Sequence, residues 1–164
     1  MNCKKIILLI VVLFSNFCHS QVQDQIGFKF PNQIGYVNDF EHVFSQQEVK
    51  KLNDLIVKYE KTTSNEIAVV TILTYKPYTT LFDYSLTLAN KWGVGKKDKN
   101  NGVVLVFGKK IREIRIQVGD GLIKKLTDDE AKKIVSETII PNFKKGDFFN
   151  ATKLGLIQIM EQIK

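Results

Sequence analysis

The sequence predicts an α/β fold: a small mixed β-sheet with helices on both faces, an α/β/α sandwich. Three observations carry this. Residues 67–73 (IAVVTIL) and 103–107 (VVLVF) are nearly continuous apolar runs rich in β-branched side chains, as expected of strands covered on both faces. Segments with apolar residues at helical spacing lie before, between and after them. The chain has 164 residues, 44% hydrophobic and 25% charged, which suits one domain with a real core. It is too hydrophobic for a disordered chain, and two cysteines do not make a disulfide scaffold.

Residues 1–20 read as a signal peptide. Lys4 and Lys5 precede the apolar run 6–14 (IILLIVVLF), and Cys18 and Ser20 place small residues before Gln21. The run is too short to span a bilayer comfortably. Phe17 argues against acylation of Cys18. Cleavage removes two of the 24 basic residues and none of the 17 acidic ones, leaving a formal charge of +5. It also removes both cysteines and His19, so the mature chain has no thiol and His42 alone. The expected product is exported, periplasmic or secreted, and soluble.

The elements follow in order. Residues 21–36 lack a period and read as an extended N-terminal arm; the domain proper is expected over 37–164. Ser45-Gln46-Gln47-Glu48 is a capping box, and Val49, Leu52, Ile56 and Tyr59 continue a helix to about residue 61. The strand at 67–73 ends before Lys76-Pro77. Leu81, Ser85, Leu88, Ala89 and Trp92 form one stripe of a second helix that Gly93 stops. The strand at 103–107 turns through Gly108-Lys109-Lys110 into a half-exposed strand at 111–118, paired antiparallel as a hairpin. Thr127-Asp128-Asp129-Glu130 opens another helix, expected to end at Pro141. Asp147 caps a last helix with Phe149, Leu156, Met160 and Ile163 inward.

A helix joins the first two strands, so they should run parallel. Chain direction then brings Ser64-Asn65-Glu66, residues 98–102 and Gly119-Asp120-Gly121 to one edge. These loops are rich in oxygen-bearing side chains, which a hard cation requires. Asn-Gly and Asp-Gly are also ordinary turn sequences.

The motifs together resemble the TPM domain family, found in exported bacterial proteins and plastid proteins. They are Val37-Asn38-Asp39, Trp92-Gly93-Val94-Gly95, Asn101-Gly102-Val103-Val104-Leu105-Val106, Arg115-Ile116-Gln117-Val118-Gly119-Asp120-Gly121-Leu122, Leu126-Thr127-Asp128, and Ile140-Pro141-Asn142-Phe143 with Gly146-Asp147. The resemblance covers nearly all of the mature chain. It implies an α/β/α sandwich and a divalent cation, usually calcium and alternatively magnesium, in an acidic cleft at one edge of the sheet. Carried over by position, it implies Asp39, Asp98, Asn101 and Asp120 as metal ligands. It also implies partnership with envelope membrane-protein complexes for some members, and phosphatase activity for plant members. Where the family often has Glu after Gly-x-Gly-Leu, this chain has Ile123.

The residue inventory constrains any phosphatase chemistry. No cysteine nucleophile survives cleavage. His42 is followed by Val43, and the arginines are Arg112 and Arg115 alone. The buried strands end in Thr74-Tyr75 and Gly108-Lys109 rather than Asp-x-Asp, and no P-loop spacing exists. Metal-assisted hydrolysis remains, and calcium is a poor ion for it. The expected function is a cation-binding envelope interaction or regulatory module, a monomer that binds no nucleic acid. The alternative is a weak metal-dependent phosphomonoesterase. Lysine pairs 109–110, 124–125, 132–133 and 144–145 read as solvated faces able to attract anions or a membrane; no aromatic residues interleave them in a nucleic-acid pattern.

Overall fold

The computed structural model describes residues 28–164. The signal-peptide reading of residues 1–20 lies outside them. Four strands form one sheet in the order β1-β2-β3-β4: β1 is Val37–Asp39, β2 Glu66–Thr71, β3 Gly102–Gly108 and β4 Glu113–Val118. The pairs β1–β2 and β2–β3 are parallel, and β3–β4 is antiparallel. Helix α1 (Gln46–Thr63) joins β1 to β2, and α2 (Leu81–Trp92) joins β2 to β3. Helices α3 (Asp128–Lys133), α4 (Ile140–Phe143) and α5 (Phe148–Gln162) follow β4.

The alternation inside β2 and β3 explains their continuous apolar sequence. Ile67, Val69, Val103, Leu105 and Phe107 face α1 and the C-terminal helices, packing on Leu52, Ile56, Leu156 and Ile159. Ala68, Val70, Val104 and Val106 face α2, meeting Leu81, Tyr84 and Leu88. Both faces are dry along residues 67–70 and 103–107; the buried polar residue at the end of β2, Thr71, has its hydroxyl bonded to Asp39.

Local signals set the helix boundaries. Both capping boxes close, Ser45 with Glu48 and Thr127 with Glu130. Asp147 accepts from the Asn150 amide at 3.1 Å to start α5. Gly93, at φ 65°, ends α2 in the left-handed conformation a helix terminus favours.

Three features depart from the sequence reading. Strand β1 has only three residues, too few for alternation to show. Its pairing is long-range: Val37 sits opposite Val69, and the Val69 amide donates to the Tyr36 carbonyl at 2.7 Å. Second, Pro141 does not end the helical run. The chain passes from α3 through a π-helical stretch, Ile134–Ile139, into α4, where Pro141 occupies the first turn. The missing proline N–H costs least there, and the wider π turn leads into it. Third, the arm supplies part of the core. Phe28 and Phe30 cluster with Tyr78 and Tyr84, with ring centroids 4.9 to 6.4 Å apart, over the face α2 covers only in part.

Phe30→Ala should therefore cost about 3 kcal/mol, measured by urea unfolding at constant m-value. A loss below about 1 kcal/mol would make the arm a passive lead-in.

Candidate functional site

The three oxygen-rich segments meet at one edge of the sheet, where β2 and β3 begin and β4 ends. The Glu66 amide donates to the Asn101 carbonyl at 3.1 Å, and the Gly119 amide to the Gly102 carbonyl at 2.8 Å. The loop before β3 and the turn after β4 touch backbone to backbone. A Cβ on Gly121 would lie 1.9 Å from the Lys99 carbonyl oxygen, and one on Gly102 would lie 2.1 Å from that of Val94. Only glycine permits either approach.

Much of this edge is committed to holding itself together. The buried Asn101 side chain donates to the Ser64 carbonyl at 2.8 Å and to Asn65 Oδ1 at 3.0 Å, and its own Oδ1 accepts the Lys96 amide at 2.9 Å. Asn65 in turn donates to the Ile163 carbonyl at 2.8 Å, tying in the end of α5. Lys96 Nζ pairs with Glu66, and with Glu60 at 3.4 Å. The other Glu66 oxygen accepts the Gly95 amide at 2.7 Å. These two carboxylates already hold a cation, the protein's own ammonium. Glu66 first, then Glu60, raises the Lys96 pKa above its ordinary 10.5, against some desolvation. The Tyr36 hydroxyl is raised as well, chiefly by its hydrogen bond to Glu60.

What remains open lies beside this network. A cleft of about 210 Å³ runs between α2 and the β3–β4 edge. Leu86, Ala89, Val94 and Val104 line it with apolar surface; Asn90, Asn100, Gln117 and Asp120 add polar groups. Gln117 Oε1 is engaged, accepting from Arg115 Nε at 3.1 Å. Asp120, Asn90 and Asn100 are exposed, and Asp98 projects from the lysine-flanked loop nearby.

The four residues expected to share a site are not all brought together. Asp98, Asn101 and Asp120 are at this edge. Asp39 ends β1 in register with Thr71, at the far end of β2 from Glu66. Five strand steps separate the two ends, about 17 Å. Asp39 is also occupied: its oxygens accept the Val43 amide at 3.0 Å, the Phe44 amide at 2.8 Å and the Thr71 hydroxyl at 2.6 Å. It fastens the entry to α1. Exposed His42, at φ 54°, is a turn residue beside it.

Among the described residues no three His, Cys, Asp or Glu side chains gather around one point. A closed carboxylate cage is therefore not built here. The cleft mouth fits a weaker arrangement for a hard cation: one carboxylate from Asp120, amide oxygens from Asn90 and Asn100, and water. Sequence reasoning did not place Asn90 and Asn100 beside one cleft. Asn100 stood inside the loop singled out, whereas a lone Asn in an amphipathic helix carries no signal of its own.

The family model for the TPM domain matches residues 37–162; this chain belongs to the TPM domain family. No curated protein matches it. Among solved structures it is similar to the N-terminal domain of a protein from P. gingivalis, with 28% identity, 77% of this chain and 80% of that chain covered, and a TM-score of 0.70. It shares the fold of the N-terminal domain of a Corynebacterium glutamicum protein, at 13% identity over 84% of this chain and 86% of that one, TM-score 0.61. A protein from the psychrophilic bacterium Bizionia argentinensis has the same fold, at 20% identity over 76% and 83%, TM-score 0.62.

Lys96→Met should lower the melting temperature at pH 7. The raised Lys96 pKa means its ion pairs contribute fully below pH 10.5 and are lost as pH rises through the folded value. The gap between mutant and wild-type melting temperatures should therefore narrow above that pH. A gap constant across this range would show that Lys96 acts through packing alone.

Proposed function

We propose that this TPM domain is an exported, non-catalytic interaction or regulatory module of the cell envelope that carries one weakly held divalent cation, calcium, at the mouth of the α2–β4 cleft. The observation that carries this reading is the cleft itself: the side-chain oxygens of Asp120, Asn90 and Asn100 border it and take no hydrogen bond from the rest of the described chain, while Glu60 and Glu66 at the same edge are tied to Lys96. Asp98 is the second carboxylate within the same loop edge. Asn101 positions the loop, and Asp39 holds the other end of the sheet.

One carboxylate and neutral oxygens beside lysines make a low-charge site, so affinity should be near millimolar, the range of extracellular calcium modules. Such a site polarises water weakly compared with zinc. No helix among the described residues is long and apolar enough to cross a membrane. The alternative, a metal-dependent phosphomonoesterase, rests on the same cation.

Calcium added to metal-stripped protein covering residues 21–164 should raise its melting temperature at millimolar concentration. Asp120→Asn should abolish that rise. Asp39→Ala should cost roughly 3 kcal/mol of stability yet keep the calcium response. A response that survives Asp120→Asn would contradict the site. Turnover of a chromogenic phosphate ester should stay at background; turnover lost both with chelator and in Asp120→Asn would establish the alternative.

A further inference from the structure

The end of the molecule that carries the cleft is also its lysine-rich loop edge. Lys97 and Lys99 are exposed on the loop before β3, and Lys124 and Lys125 on the turn after β4. These are one surface: the Gly121 amide donates to the Asn100 carbonyl at 3.1 Å, and Gly121 itself lies against Lys99. The turn also presents Ile123. Its neighbours Leu122 and Leu126 are buried, which leaves Ile123 49% exposed.

The charge at this edge is only partly cancelled internally. Glu60 and Glu66 are taken up by Lys96. Lys99 Nζ donates to the Ser64 hydroxyl at 3.2 Å, and Lys125 Nζ to the Lys164 carbonyl. The Ser64 hydroxyl is a neutral acceptor and does not offset the Lys99 charge, whereas Lys125 meets the oxygen of the last residue of the sequence. Asp98 and Asp120 are the exposed carboxylates of these two loops, against four exposed lysines.

An isoleucine exposed among basic residues is suited to a lipid interface. The branched side chain can enter the headgroup–acyl boundary, while lysine stems lie along it and their charges reach phosphates. Nucleic acid would favour aromatic residues among the lysines for stacking, and segments 97–99 and 123–125 contain none.

We propose that this loop edge docks on an anionic phospholipid membrane, with Ile123 entering the interface and Lys97, Lys99, Lys124 and Lys125 meeting headgroup phosphates. The docking needs no divalent cation, so it stands or falls apart from the calcium reading.

The test is co-sedimentation of residues 21–164, which include every residue of both cores, with vesicles of phosphatidylglycerol and phosphatidylethanolamine, in chelator. Binding should be absent with purely phosphatidylcholine vesicles and should weaken steeply with salt. Lys124→Gln with Lys125→Gln should weaken it about tenfold or more, and Ile123→Ser should weaken it without changing the salt dependence. Lys144→Gln with Lys145→Gln should leave it intact. No binding to anionic vesicles overturns the proposal. So does an equal loss in the Lys144/Lys145 variant, which would mean diffuse attraction to a basic protein. Poly-glutamate binding as tight as vesicle binding, and indifferent to Ile123→Ser, would assign the patch to an acidic protein instead. Melting temperatures of all variants should match wild type.

Discussion

The close approach of two loops at the start of β3 is the constraint on which the functional edge depends. Gly102 and Gly121 let backbone meet backbone where any side chain would collide with a carbonyl oxygen. That contact fixes the loop before β3 against the turn after β4, and Asn101 ties both to the end of α1 and to α5. The lysine face is displayed on those two segments, and the cleft mouth on them and on α2. The dry central strands supply the base: because Val103, Val104, Leu105 and Val106 are buried on both faces, the starts of β2 and β3 cannot drift apart.

Electrostatics sort the carboxylates into two groups. Asp39 and Glu41 serve structure at the far end. Asp39 accepts two amides and a hydroxyl, and Glu41 accepts the Lys109 and Lys110 amides at 2.6 and 2.8 Å, clamping the β3–β4 turn. Glu60 and Glu66 are held by Lys96. Asp98 and Asp120 alone at the loop edge face solvent without such a partner. Asp39, Glu41, Glu60 and Glu66 thus fasten loops, and Asp98 and Asp120 do not.

The parts of the fold written in local chemistry were legible in the sequence. Ser45 with Glu48, Thr127 with Glu130, and Asp147 marked three helix starts because a capping box satisfies amides within four residues of itself. The two central strands were legible because burial on both faces leaves residues 67–70 and 103–107 without a polar side chain. Strand β1 was not, since three residues show no period and their partner lies some 30 positions away. That one omission misplaced Asp39. Its motif matches the family, but which end of the sheet it occupies follows from the direction of β1, and a parallel β1 sends it away from Asp98 and Asp120. The continuation through Pro141 was hidden because a π-helical stretch has no sequence signature here. The place of Asn90 at the cleft was hidden because it comes from α2 packing along β4.

The most direct measurement is a calcium titration followed by backbone amide shifts of the metal-stripped protein covering residues 21–164. The account expects saturable shifts near millimolar calcium at Asn90, Asn100 and residues 117–121, with Asp39, Val43 and Phe44 unmoved. Shifts centred on Asp39, or none anywhere at several millimolar calcium, would contradict it.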